Sequence, residues 1–106
     1  MAHILISAPA DADTAEIIAY LAAKAGVHVA ARYTASLEKL YDRLAVHPQI
    51  GAPRPALGPY VRSAIVPPYT VIYEHAEPEG AVTILRIVHG RRKITGKLLS
   101  ASISSS

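Results

Sequence analysis

The sequence predicts an α+β domain in which an N-terminal strand and a helical hairpin pack on a small antiparallel sheet. Two observations point there. The first half holds two stretches with helical apolar spacing joined across Gly26. The second half holds three β-branched and aromatic runs separated by short turns.

The chain opens with His3-Ile4-Leu5-Ile6-Ser7, short and apolar and bounded by Ala8-Pro9, which fits a first strand. Asp13 and Glu16 have the spacing of a capping box, so the first helix is expected over about residues 14 to 25. Its apolar face is Ile17, Ile18, Leu21, Ala22 and Ala25, and Gly26 stands where a left-handed residue ends a helix. A second helix places Tyr33, Leu37, Leu40, Tyr41 and Leu44 on one stripe, with Arg32, Lys39 and Arg43 off it, and Pro48 stops it. So short a connection makes the two helices antiparallel neighbours.

Residues 48 to 59 contain four prolines and two glycines and read as an ordered, turn-rich connection. Strands are expected at Tyr60 to Val66, Tyr69 to His75 and Ala81 to His89, with turns at Pro67-Pro68 and Glu77-Pro78-Glu79-Gly80. In the last strand Val82, Ile84, Arg86 and Val88 alternate with Thr83, Leu85, Ile87 and His89. Both sets are apolar, so the face away from the helices is expected to meet a partner. The domain is expected over residues 1–96, followed by a serine-rich tail over 97–106.

With 106 residues the chain supports a single core, and without cysteine it has no disulfide, thiolate metal site or thiol nucleophile. No stretch approaches a membrane span and no secretory pattern opens the sequence, so a soluble cytoplasmic protein is expected. The net charge of +3 is unevenly spread. Residues 1–50 hold four basic and five acidic side chains, net −1, and residues 51–106 hold seven basic and three acidic, net +4. A basic second half favours an acidic partner. The histidines 3, 28, 47, 75 and 89 show no ligand spacing, so neither metal nor cofactor is expected.

The segments ARYTASLEKLYDRLAVHP, IGAPRPALG, VRSAIVPPYTVIYEH and ILRIVHGRRK follow one another at a distinctive spacing. Together, from Ala31 to Lys93, they resemble the ParE branch of the ParE/RelE toxin superfamily. The telling pieces are Gly51 and Pro53, Arg62 opening a strand, Tyr69 and Tyr73, and Arg86, His89 and Arg91. The resemblance implies the toxin of a type II toxin-antitoxin system of the plasmid-stabilisation kind. Such a toxin inhibits DNA gyrase and is neutralised by a ParD-like antitoxin that wraps it with a helical, otherwise disordered segment. The partner-binding candidates are Arg54, Arg62, Arg86, Arg91, Arg92 and Lys93, and on this reading no residue is catalytic.

The sister branch implies a RelE-like, ribosome-dependent messenger endoribonuclease, for which Arg62, Arg86 and His89 would be the catalytic candidates. That chemistry needs a base for the 2′-hydroxyl, a cation for the phosphorane and an acid for the leaving oxygen. The loop offers only Arg54, which cannot act as a base, leaving His47 as the substitute. An inactive interaction module is a third possibility. Each candidate also has a structural reading. Arg86 could be paired within the fold, with Glu74 or a carbonyl, His89 could be a hydrogen-bonded strand end, and Tyr33 and Tyr41 are read as core.

Overall fold

The computed structural model describes residues 1–76 and 80–90. The Glu77–Glu79 part of the expected turn, the basic run Arg91, Arg92 and Lys93, and the tail lie outside the described residues. The order of elements is β1 (His3–Ile6), α1 (Ala8–Ala25), α2 (Val27–Val46), β2 (Ala52–Pro53), β3 (Val61–Val66), β4 (Tyr69–His75) and β5 (Ala81–His89). No helix among the described residues is long and apolar enough to cross a membrane.

Helix α1 begins earlier than the Asp13 capping signal suggests. Ser7 is its N-cap, its hydroxyl accepting from the Ala10 N–H at 3.2 Å and donating to the Leu85 carbonyl at 3.0 Å. Pro9 falls in the first turn, where a missing N–H breaks no helical bond. Ala8-Pro9 therefore opens the helix rather than merely ending the strand, and Asp13 is released for another role. A single residue, Gly26 at φ +99°, ends α1 and starts α2, and its positive φ is what turns the hairpin. The α2 stripe is buried as expected at Tyr33, Leu37, Leu40 and Leu44, while Tyr41 is only partly buried.

The sheet is five-stranded and mixed, in the order β1-β5-β4-β3-β2. Strands β3, β4 and β5 form the expected antiparallel meander, with a cis Pro67–Pro68 peptide between the first two. Strand β1 lies parallel to β5, His3 through Ile6 beside Ala81 through Ile84. The two residues of β2 pair with Ser63 and Arg62, so the proline-rich connection contributes a short strand that its composition does not announce. Tyr60 lies outside β3.

The expected two-face alternation of β5 breaks at one residue. Ile72 pairs with Arg86 but Tyr73 pairs with Ile84, so Leu85 is an extra residue that flips the phase of the strand. Val82, Ile84 and then Ile87 face the helical core, whereas Leu85 and Val88 join Val61 and Ile72 in a small second cluster. Leu57 of the connection packs against that cluster. The apolar look of both sets of β5 residues thus comes from the bulge and from a second cluster partly covered by the chain itself.

Candidate functional site

The connection after α2 is held down by two side chains from the sheet. The Tyr73 hydroxyl donates to the Pro48 carbonyl at 2.8 Å and accepts from the Gly51 N–H at 2.9 Å. Arg62, facing the same side of the sheet as its register partner Tyr73, donates to the carbonyls of Gly51 at 2.8 Å and Gln49 at 3.0 Å. Burial raises the Tyr73 phenol pKa, while the Gly51 amide and the Arg62 charge pull it back. Arg62 therefore organises the loop through backbone carbonyls. Arg54 is placed by its own N–H, which donates to Val61 O at 2.8 Å, and its side chain is half-buried.

Arg86 is paired within the fold, and Asp13 is a partner that its sequence neighbourhood does not announce. Its Nε and Nη2 donate to the two oxygens of Asp13 at 2.6 and 3.1 Å, a bidentate geometry. The same carboxylate accepts the Ile87 N–H at 3.0 Å. The physical reason lies at the sheet edge. Strand β1 covers β5 only as far as Ile84, so beyond it the β5 edge has lost its strand partner. Asp13, carried there by the second turn of α1, supplies the missing acceptor.

The three residues that a ribonuclease would need have separate contacts: Arg62 with loop carbonyls, Arg86 with Asp13 and His89 with Tyr69. Arg62 and Arg86 stand on strands separated by β4, about two strand spacings or roughly 10 Å apart. His89 pairs with Tyr69, four residues along β4 from the partner of Arg62, or roughly 13 Å further along the sheet. His47 caps the end of α2. The His89 ring stands edge-on to Tyr69, with centroids 5.6 Å apart, and Tyr69 in turn meets Tyr33 at 5.3 Å. This row joins the end of β5 to the helical core. No group of His, Cys, Asp or Glu able to hold a metal ion occurs among the described residues.

Two phenols in that core are strained by burial. The hydroxyls of Tyr33 and Tyr41 are inaccessible and have no hydrogen-bond partner among the described residues. Burial raises the Tyr41 pKa to about 12, and burial followed by the neighbouring Tyr41 and Tyr69 raises that of Tyr33. Tyr41→Phe is expected to stabilise the fold by about 1 kcal/mol, because it deletes an unsatisfied buried group while keeping the ring. A thermal melt checks this, and a loss of stability would show that the hydroxyl has a partner.

The raised values also fix a sign. The unfolded chain ionises its tyrosines near pH 10 and the folded core resists doing so, so this contribution is intact below pH 10 and is lost as pH rises towards about 12. Urea midpoints should accordingly fall between about pH 10 and about pH 12, and fall less in the Tyr33→Phe/Tyr41→Phe double variant.

A further surface is not apparent from the order of residues. Arg32, Lys39 and Arg43, which simply lie off the apolar stripe in sequence, line one groove with Ile65, Val66 and Pro67 at the end of β3. The spacing i, i+7 and i+11 puts the three cations on a single row of α2. What that row faces depends on where the sheet ends.

Comparison with known proteins follows the same lines. The family described as "ParE toxin of type II toxin-antitoxin system, parDE" matches residues 4–94 of the chain. Toxin ParE3 of Caulobacter vibrioides is 29% identical over 98 residues, spanning 92% of this chain and 96% of that protein. A solved chain described as "Chromosomal ParDE TA system from P. aeruginosa" has a TM-score of 0.68 at 22% identity. It covers 84% of this chain and 96% of its own length, and at that identity the likeness is one of fold.

Proposed function

The chain belongs to the ParE toxin family of type II toxin-antitoxin systems, and from that premise we propose that it inhibits DNA gyrase and is held inactive by a co-expressed ParD-like antitoxin. The observation that carries the reading is the family match over residues 4–94, which reaches from β1 past the end of β5. The geometry of the cations favours a binding protein over a nuclease. Arg62 is engaged by loop carbonyls, Arg86 by Asp13, and His89 lies on an aromatic row away from Arg62. A nuclease would instead gather a base, a cation and an acid around one phosphate.

Arg54 and Arg62 on the loop side, together with Arg91, Arg92 and Lys93 after β5, are the cations proposed to meet the partners. Arg86, on β5 and ion-paired with Asp13, is the remaining member of the set. A cationic surface of this kind accelerates encounter with acidic protein or DNA and makes it salt-sensitive.

The direct test is supercoiling of relaxed plasmid by purified gyrase with and without the protein, beside a translation reaction probed for messenger cleavage. Supercoiling should be lost, or cleaved DNA should accumulate, while messenger stays intact. Cut messenger with normal supercoiling would reverse the assignment and favour the RelE-like ribonuclease. Paired substitution of Arg62 and Arg86 is a poor discriminator, since both residues hold the fold together and their loss would lower activity on either reading.

A further inference from the structure

The groove between α2 and the end of β3 combines an open strand edge, an apolar floor and a row of cations. Strand β2 covers β3 only at Arg62 and Ser63, so the edge from Ala64 to Val66 has no strand partner among the described residues. The Arg54 N–H donates to Val61 O on that edge, which sets the alternation of the main chain. By the same period Ile65 directs its N–H and C=O outwards, just past the end of β2, and its side chain is 70% exposed. Opposite lie Arg32, Lys39 and Arg43, all exposed and with no ion pair among the described residues. The acids nearest in sequence, Glu38 and Asp42, fall on a neighbouring row of α2 and do not line the groove. The volume is about 580 Å³, and Tyr33, Leu40 and Val66 supply apolar lining.

We propose that this groove receives an acidic, extended segment of a partner protein. The segment adds as a strand to β3 at Ile65, with its carboxylates against Arg32, Lys39 and Arg43. The inference deepens the toxin-antitoxin reading and rests on it for the source of the segment, the antitoxin. A strand fits better than a helix because the main-chain groups of Ile65 are offered to a partner, and added strands bind through such groups. A polypeptide fits better than nucleic acid because a sugar-phosphate backbone would use the cations but leave the apolar floor and the strand edge unused. Side chains of the segment on the helix side would meet Val66 and the α2 row, while the alternate ones would lie beside Ile65 on the other face.

The test uses a labelled, end-blocked peptide of about eight residues alternating glutamate and valine, titrated into the intact protein and followed by fluorescence anisotropy. Binding should weaken as salt rises. It should fall roughly tenfold or more with Arg32→Glu/Lys39→Glu/Arg43→Glu. It should fall comparably when the alternate amides of the peptide are N-methylated, a change that leaves the protein untouched and so holds whether or not the triple variant folds. Equal binding of a lysine-valine peptide, equal binding of the N-methylated peptide, or preferential binding of oligothymidylate at the same row would each overturn the proposal. If the peptide fails while the protein still blocks gyrase, this inference falls alone. If the peptide binds as described while supercoiling is unaffected, the groove stands and the gyrase reading falls.

Discussion

Replacing Asp13 by alanine is expected to cost about 3–5 kcal/mol of folding stability, because it breaks a mostly buried ion pair and removes the carboxylate to which Arg86 donates twice. The side chains of Arg86 and Asp13 are only 16% and 12% exposed, so solvent does little to screen the loss. The carboxylate also accepts the Ile87 N–H at a sheet edge that β1 no longer covers, and that donor is orphaned with it. A double-mutant cycle separates the two contributions. Arg86→Met alone should be costly for the mirror reason, whereas Asp13→Ala/Arg86→Met should lose much less than the sum of the single changes. The remainder, about 1–2 kcal/mol, is the unsatisfied Ile87 amide. Urea unfolding of the four proteins gives the coupling directly. Additive costs, or a single change within about 1 kcal/mol of the parent, would show that the pair does not hold α1 to β5.

The second large effect is expected at Gly51, where alanine should destabilise by about 2–4 kcal/mol through overpacking and a broken hydrogen bond. A Cβ there would sit 2.5 Å from the Tyr73 hydroxyl, 2.7 Å from its ring and 2.8 Å from the Ser63 carbonyl. None of these can yield easily. Tyr73 is fully buried, and Ser63 O belongs to the backbone of β3 in the register of β2. Relief would require the loop to lift, which breaks the Gly51 N–H contact with Tyr73 and draws the carbonyls away from Arg62. Adding Tyr73→Phe should not rescue the variant, since the ring and carbonyl contacts remain. Stability should be read by denaturation, and gyrase inhibition should fall with it if Arg54 and Arg62 meet a partner from this loop. A Gly51→Ala protein with the parent urea midpoint would show that the loop is not clamped as described.

Much of this protein was legible in its residues. Apolar spacing of 3.6 and Gly26 specify the helical hairpin. Val, Ile and Tyr runs broken by Pro67-Pro68 place β4 and β5 at the bounds observed. The spacing of the loop, strand and arginine segments carries the family resemblance that the match over residues 4–94 bears out. These features are local, because helix period, strand period and turn chemistry each act within a few residues. Other signals competed at the same range. Asp13 and Glu16 satisfied a capping rule, yet Ser7 lay ahead of a proline that a first turn accepts, and it took the cap.

What tertiary structure alone decided is every relation between segments distant in the chain. The contact of Asp13 with Arg86 spans 73 residues, and nothing near either residue in sequence specifies it. That β1 runs parallel to β5 and stops at Ile84 creates the uncovered edge that Asp13 fills. The extra residue at Leu85 reverses which side chains of β5 face the helices, a shift that strict alternation cannot contain. The short reach of β2 leaves Ile65 open beside Arg32, Lys39 and Arg43. The physical reason is common to all four. Local periodicity fixes which face of an element is apolar, but which main-chain donors and charges remain unmatched depends on where another element ends, and that is settled only when the whole chain has packed.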